Sequence, residues 1–242
     1  DGGYLAYIRK FKSIRLDKAC FRISRKVIAK VSSLGISSFI TQIAIVLVMA
    51  VTNNILVSYG AQSKYGAEIP LTTIGITMKV NQIVSAVLLG LATGAQPIWG
   101  YNYGRGQKDR VKQTYRVILT ASTIMLILAF LVFQFAPMSI VRLFGSESEL
   151  YNEFAVKCFR IFLLACPING LQMATGIFFQ AIGKPTQATV LSLSRQIVYL
   201  LPATLLLPLA LGVEGALWAG PLADALAFIT TLVMLKLYWK KI

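Results

Sequence analysis

The sequence predicts an all-α membrane protein, a six-transmembrane-helix bundle, and three observations carry that expectation. The chain has 242 residues, of which 56% are hydrophobic and only 14% charged, and its mean hydropathy is +0.68; a soluble domain does not need such a balance to fill its core. Its apolar residues fall into six runs suited to crossing about 30 Å of hydrocarbon at about 1.5 Å per residue. Its Lys and Arg residues bring the formal net charge to +15 and gather at the ends of those runs, as positive-inside sorting requires. Such a charge also suggests nucleic-acid binding, and its placement at the ends of apolar runs argues against that partner.

Residues 1–30 read as a basic cytoplasmic arm. Nine Lys or Arg lie between residues 9 and 30, with Leu16, Ala19, Cys20, Ile23, Val27 and Ile28 at spacings of mostly three and four. This suits either an amphipathic helix on an anionic membrane face or a solvated linker. The chain opens at Asp1 on what reads as the tail of an apolar segment, so we expect a further segment upstream.

Residues 31–242 form the expected six-span lobe. The first span covers about 31–57, with Gln42 near mid-depth and Asn53 and Asn54 near its far end. The second, about 69–100, holds Lys79, Asn81 and Gln82 in its outer half. Its Gly90 and Gly94 have the small-xxx-small spacing that predicts close packing on a neighbour. Past Pro97 it runs into a glycine-rich turn with Arg105, Lys108, Arg110 and Lys112. The third span, about 117–135, is nearly featureless Leu, Ile, Phe and Ala and reads as a lipid-facing wall. An acidic loop around Glu147 and Glu149 precedes the fourth span, about 154–182, which Pro167 interrupts just before Asn169 and Gln172. After the Gly183-Lys184-Pro185 turn, the fifth span (about 188–210) contains Arg195, Gln196, Tyr199 and Pro202. The sixth (about 213–238) contains Glu214, Pro221 and Asp224.

Counting Lys and Arg places the arm, the turn after Gly104, the Lys184 turn and the C-terminal tail on one side, with both termini cytoplasmic. Lys157 and Arg160 run against this count; they lie near Glu153 and are expected to snorkel outward.

The chemistry available is narrow. There is no histidine, so His metal sites, His general bases and His proton relays are excluded. No enzyme activity, metal site or cofactor is expected. Charges near the bilayer centre are expensive unless paired or wetted, so Lys79, Arg195 and Asp224 are the candidate intramembrane charge network. Spans five and six form a hairpin that predicts an Arg195–Asp224 interaction, with Lys79 a competing partner for Asp224. Such a pair either secures helix register or takes part in gating or coupling. Gln42, Asn53, Asn54, Gln82, Asn169, Gln172 and Tyr199 are candidates to line a cavity, with interhelical hydrogen bonding as the alternative for the amides. Pro97, Pro167, Pro202 and Pro221 each remove a helix hydrogen bond, giving either fixed kinks or bending points that open polar backbone to a cavity.

Three stretches, GLATGAQPIWGYNYGRGQKDRV at 90–111, FFQAIGKPTQATVLSLSRQIVYLLP at 178–202 and GVEGALWAGPLADALAF at 212–228, resemble the multidrug and toxic compound extrusion (MATE) transporters. The likeness covers nearly the whole chain and is to the C-terminal lobe of that twelve-span family. It implies export of cationic, amphiphilic compounds by alternating access, driven by Na⁺ or H⁺ antiport, in a bacterial inner membrane. The implied partners are membrane lipids, small organic cations and an N-terminal six-span lobe that mainly binds the coupling ion. Some family members carry carboxylates in the first and fourth spans of this lobe. Here those spans offer Gln42 and, past Glu153, only amides. Related flippases for lipid-linked or polysaccharide precursors share the architecture, and a non-transporting scaffold is a third reading.

Overall fold

Inside hydrocarbon no water can satisfy a backbone N–H or C=O, so a spanning segment must close its hydrogen bonds within itself. The computed structural model describes residues 25–145 and 148–239, and its regular structure there is helical throughout. The chain divides into two units, residues 1–36 and 37–242. In the first, the described residues from Arg25 onward are helical. The rest of the expected basic arm, residues 1–24, lies outside the described residues, as do Glu147 of the acidic loop and the terminal Lys240 and Lys241.

In the second unit the spans follow in order. Helix α1 (Arg25–Ala61) contributes the span Phe39–Ala61, and α2 (Glu68–Gly104) and α3 (Lys108–Phe135) follow. The short α4 (Pro137–Phe144) leads to α5 (Glu149–Phe162) and α6 (Cys166–Ala181). These two are bent by 50° at their break, and taken together they are long and apolar enough to count as one broken span, the sixth beside five continuous candidates. The next span, Pro185–Leu211, is assembled from α7 (Pro185–Leu193), a π-helical segment (Ser194–Leu200) and α8 (Leu201–Leu211). Helix α9 (Val213–Trp239) is the last.

Several helices outrun the apolar runs that predict them. Helix α3 begins at Lys108, so Lys108, Arg110, Lys112 and Arg116 ride on its first turns instead of forming a loop. The prolines divide into two groups. Pro167 stands in the first turn of α6, at the bend, and Pro202 in the first turn of α8, after the π segment. Pro97 and Pro221 lie inside helices that continue through them, as does Pro208.

Aromatic packing ties one end together. Trp99, Tyr115, Phe178 and Phe179 are buried in one cluster, with Tyr238 and Trp239 packed against it. Lys112 lies over the Trp239 ring at 5.8 Å and Lys184 over Tyr238 at 4.9 Å. These contacts bring the α2–α3 turn, the α6–α7 turn and the end of α9 to the same end of the bundle.

Charge pairing ties the other. Lys64 reaches both oxygens of Glu153 at 3.0 Å, and Lys157 bridges Glu153 (3.6 Å) and Glu214 (2.6 Å). Tyr65 donates to Glu153 at 2.8 Å and accepts from Lys157 at 3.3 Å. The hydrogen bond to Glu153 raises the pKa of Lys64 above the ordinary lysine value. Lys157 therefore joins two spans and the α1–α2 loop at this end. Arg160 acts differently: its Nε donates to the carbonyl of Gln134, and the Gln134 side chain donates to the carbonyl of Arg160. Each side chain thus satisfies a carbonyl near the C-terminal end of the other's helix, where carbonyls lack intrahelical partners.

Helix α3 is a lipid-facing wall on one side only. Ile124, Leu128 and Leu131 are exposed, while Tyr115, Ser122 and Leu126 are buried, and the Tyr115 hydroxyl bonds Thr175 Oγ1 at 2.7 Å.

The close packing expected at Gly90 and Gly94 is not what those glycines do. A methyl group at either would meet nothing within 4 Å among the described residues. Close approach occurs instead at Gly215, whose Cα faces the Leu207 carbonyl, and at Gly220, where an added carbon would sit 3.1 Å from the Phe162 ring. Gly215→Ala is therefore expected to destabilise the lobe by roughly 1–3 kcal/mol, because backbone cannot retreat as a side chain can. Gly90→Ala should leave stability nearly unchanged. Thermal unfolding of the two variants in the same detergent checks both, and equal midpoints would contradict the assignment.

Candidate functional site

Two interruptions of α geometry meet in the middle of the bundle. One is the α5–α6 break and the other the π-helical segment 194–200. A π turn inserts extra residues into a helical repeat and re-aims the side chains that follow; such turns often occur at functional sites. Here the segment carries Arg195 and Gln196.

Between these interruptions and helices α1, α2 and α9 lies a cavity of about 250 Å³. Helix α1 contributes Met49 and Thr52, α2 Met78 and Asn81, and the broken span Phe162, Cys166 and Asn169. Arg195, Gln196 and Thr204 come from the fifth span and Gly220 and Asp224 from α9. Polar groups and polarizable thioethers share the lining, which suits an amphiphilic ligand.

Arg195 and Asp224 form an ion pair in this wall. Nε and Nη2 of the guanidinium both lie 2.6 Å from Asp224 Oδ1. The side chains are 21% and 8% exposed, an environment in which two unpaired charges would be prohibitively expensive. Together they present the cavity with no net charge.

The remaining sequence-predicted residues fall elsewhere. Lys79 is exposed on the face of α2 opposite the buried stripe of Thr73, Thr77 and Leu88, and among the described residues it forms no ion pair. It therefore does not compete for Asp224. Residues two apart on a helix point about 200° away from each other, so Asn81 reaches the cavity and Lys79 does not. Of the candidate lining residues, Asn169 borders the cavity, while Asn53, Asn54, Gln82, Gln172 and Tyr199 do not. Gln172 is buried and donates to the carbonyl of Leu191 at 3.0 Å, and Tyr199 bonds Thr230 Oγ1 at 2.6 Å. Gln42 is exposed, three residues before Ile45 of the cavity wall and on the same face of α1.

Thr52, Thr204, Gln196, Met49 and Met78 join the cavity without having been singled out as lining residues. The threonine hydroxyls bond back to the carbonyls four residues earlier, at 2.8 and 2.7 Å, so their sequence signal is that of any threonine in an apolar helix. Among the described residues no group of three or more Cys, Asp or Glu could hold a metal ion.

A multi-pass helical bundle with a bent helix pair, a π segment and a paired charge at a cavity combines features from which membrane transporters build their sites. The MatE family model matches residues 37–205, and the chain belongs to that family. It is 21% identical to Multidrug export protein MepA of Staphylococcus haemolyticus over 96% of this chain and 49% of the relative. It is 19% identical to MepA of Staphylococcus aureus over 88% and 45%. The chain thus spans about half the length of the curated relatives it matches. Among solved structures, the MATE multidrug transporter DinF-BH is 32% identical and superposes with a TM-score of 0.81 over 97% of this chain and 51% of its own. An outward-facing multidrug resistance MATE family transporter of the MOP superfamily shares the fold at 17% identity, with a TM-score of 0.84 over 99% and 52%.

Removing one member of the Arg195–Asp224 pair leaves the other charge buried. Arg195→Met or Asp224→Leu alone is expected to lower stability by about 3–5 kcal/mol, and the double substitution by less than either. A double-mutant cycle on thermal unfolding measures this, and additive losses would mean that the pair contributes no coupling.

Proposed function

We propose that this chain is the C-terminal half of a multidrug exporter that moves cationic, amphiphilic compounds by Na⁺ or H⁺ antiport through alternating access. The single observation that carries the proposal is the central cavity of mixed polar and thioether lining, closed on one side by the Arg195–Asp224 pair. The export proteins among its relatives support the same reading. The protein is then a transporter without a resident cofactor, seated in a bacterial inner membrane with both termini of this chain cytoplasmic. The basic residues around the α2–α3 turn support that orientation.

In this proposal Asp224 is a latch. Its charge is already answered by Arg195, so among the described residues the cavity wall adds no free anion for a substrate or coupling cation. The coupling ion and the substrate's positive charge are met mainly by an N-terminal six-span lobe. A flippase reading would need a basic cavity for phosphate, and the position of Lys79 outside the cavity gives it no support.

Efflux of a fluorescent organic cation from vesicles containing the full-length protein tests this. Transport should saturate and should collapse when the Na⁺ and proton gradients are both dissipated. Asp224→Asn is expected to slow transport severalfold while leaving its dependence on the coupling ion unchanged. A shift in that dependence would make Asp224 a coupling group instead, and gradient-independent efflux would overturn the antiport proposal.

A further inference from the structure

An apolar groove runs down the outside of the bundle between α2 and α3, separate from the central cavity, with a volume of about 570 Å³. Leu91 and Ile98 of α2 and Val117 and Ile118 of α3 line its walls, and Gly90 and Gly94 leave its α2 side open. The glycines, against which no described residue packs, thus leave an unfilled channel on the outside of the bundle.

Beyond the lining residues the surface turns cationic. Gly94, Ile98 and Tyr101 recur at helical spacing along α2, and its C-cap Arg105 follows one turn after Tyr101, so Tyr101 and Arg105 continue the line of the apolar channel. The Arg105 guanidinium lies over the Tyr101 ring at 4.9 Å, and that ring is 60% exposed. Along α3, Arg110 precedes Thr114 and Val117 by one and two turns on the same face. Both arginines are exposed, and among the described residues neither forms an ion pair with a carboxylate. Asp109, the acid of this turn, projects about 100° around the helix from Arg110.

We propose that this groove is a binding site for one anionic phospholipid of the adjoining leaflet. An acyl chain lies along Gly90 and Gly94, and the headgroup phosphate is held by the guanidiniums of Arg105 and Arg110. Guanidinium forks match phosphate oxygens, and Tyr101 stands at the depth where aromatic side chains favour the interface. A neutral lipid would fill the channel without answering the two arginines, which selects the anionic headgroup. The inference rests on the membrane placement of α2 and α3 and is independent of which compound the protein transports.

Native mass spectrometry of the full-length protein tests it, with phosphatidylglycerol and phosphatidylcholine of identical chains supplied in equal amounts. The unaltered protein should retain phosphatidylglycerol about tenfold more strongly. Arg105→Gln with Arg110→Gln should abolish that preference while some lipid of both kinds remains. Gly94→Leu, which fills the channel where a Cβ meets nothing within 4 Å, should reduce retention of both. A folded Gly94→Leu protein is recognised by an unchanged melting midpoint; Gly90→Leu serves in its place if that midpoint falls. Equal retention of the two lipids by the unaltered protein overturns the proposal. So does an unchanged preference in the arginine variant, or a cross-link from Gly94→Cys to another polypeptide segment lying over the groove.

Discussion

Hydrocarbon offers no partner to a polar group, and that constraint organises this molecule more than any single contact. Buried threonines answer it by bonding to carbonyls of their own helix, as Thr52, Thr77, Thr175, Thr204 and Thr231 all do. Arg195 and Asp224 answer it through each other. Both interruptions of regular α geometry, the α5–α6 break and the π segment, occur where the helices enclose a cavity. Irregular backbone at membrane depth is tolerated where it lines such a space.

The same constraint relaxes toward the ends, and the two ends use different chemistry. At the end carrying the α2–α3 turn, lysines lie over the rings of Trp239 and Tyr238, outside a buried aromatic cluster. At the other, Lys64, Glu153, Lys157 and Glu214 form a chain of ion pairs around Tyr65. Those side chains are 36–58% exposed, so water screens each pair. Their value is geometric, since Lys157 sets the first half of the broken span against both the α1–α2 loop and the start of α9. The broken span is thus tied at its first end, while its bend faces the cavity.

Much of the fold was legible in the chain because length and hydropathy are read residue by residue. Five or six candidate spans, the α2–α3 basic turn, the interruption at Pro167 and the opposition of Arg195 to Asp224 across a hairpin all follow from runs and spacings. Lys157 and Arg160 show where that reading stops. In sequence they are cations on the wrong side; in space one bridges two carboxylates on different helices and the other caps a carbonyl of α3.

The sequence by itself determined that this is a helical membrane protein and that Arg195 and Asp224 would be partners. Tertiary structure alone decided which side chains share the cavity, because that depends on the rotational phase of each helix. A π turn shifts that phase without leaving a mark on hydropathy. Phase also separated Asn81 from Lys79, and it turned Gly90 and Gly94 toward an open groove, where a spacing rule had placed a neighbouring helix.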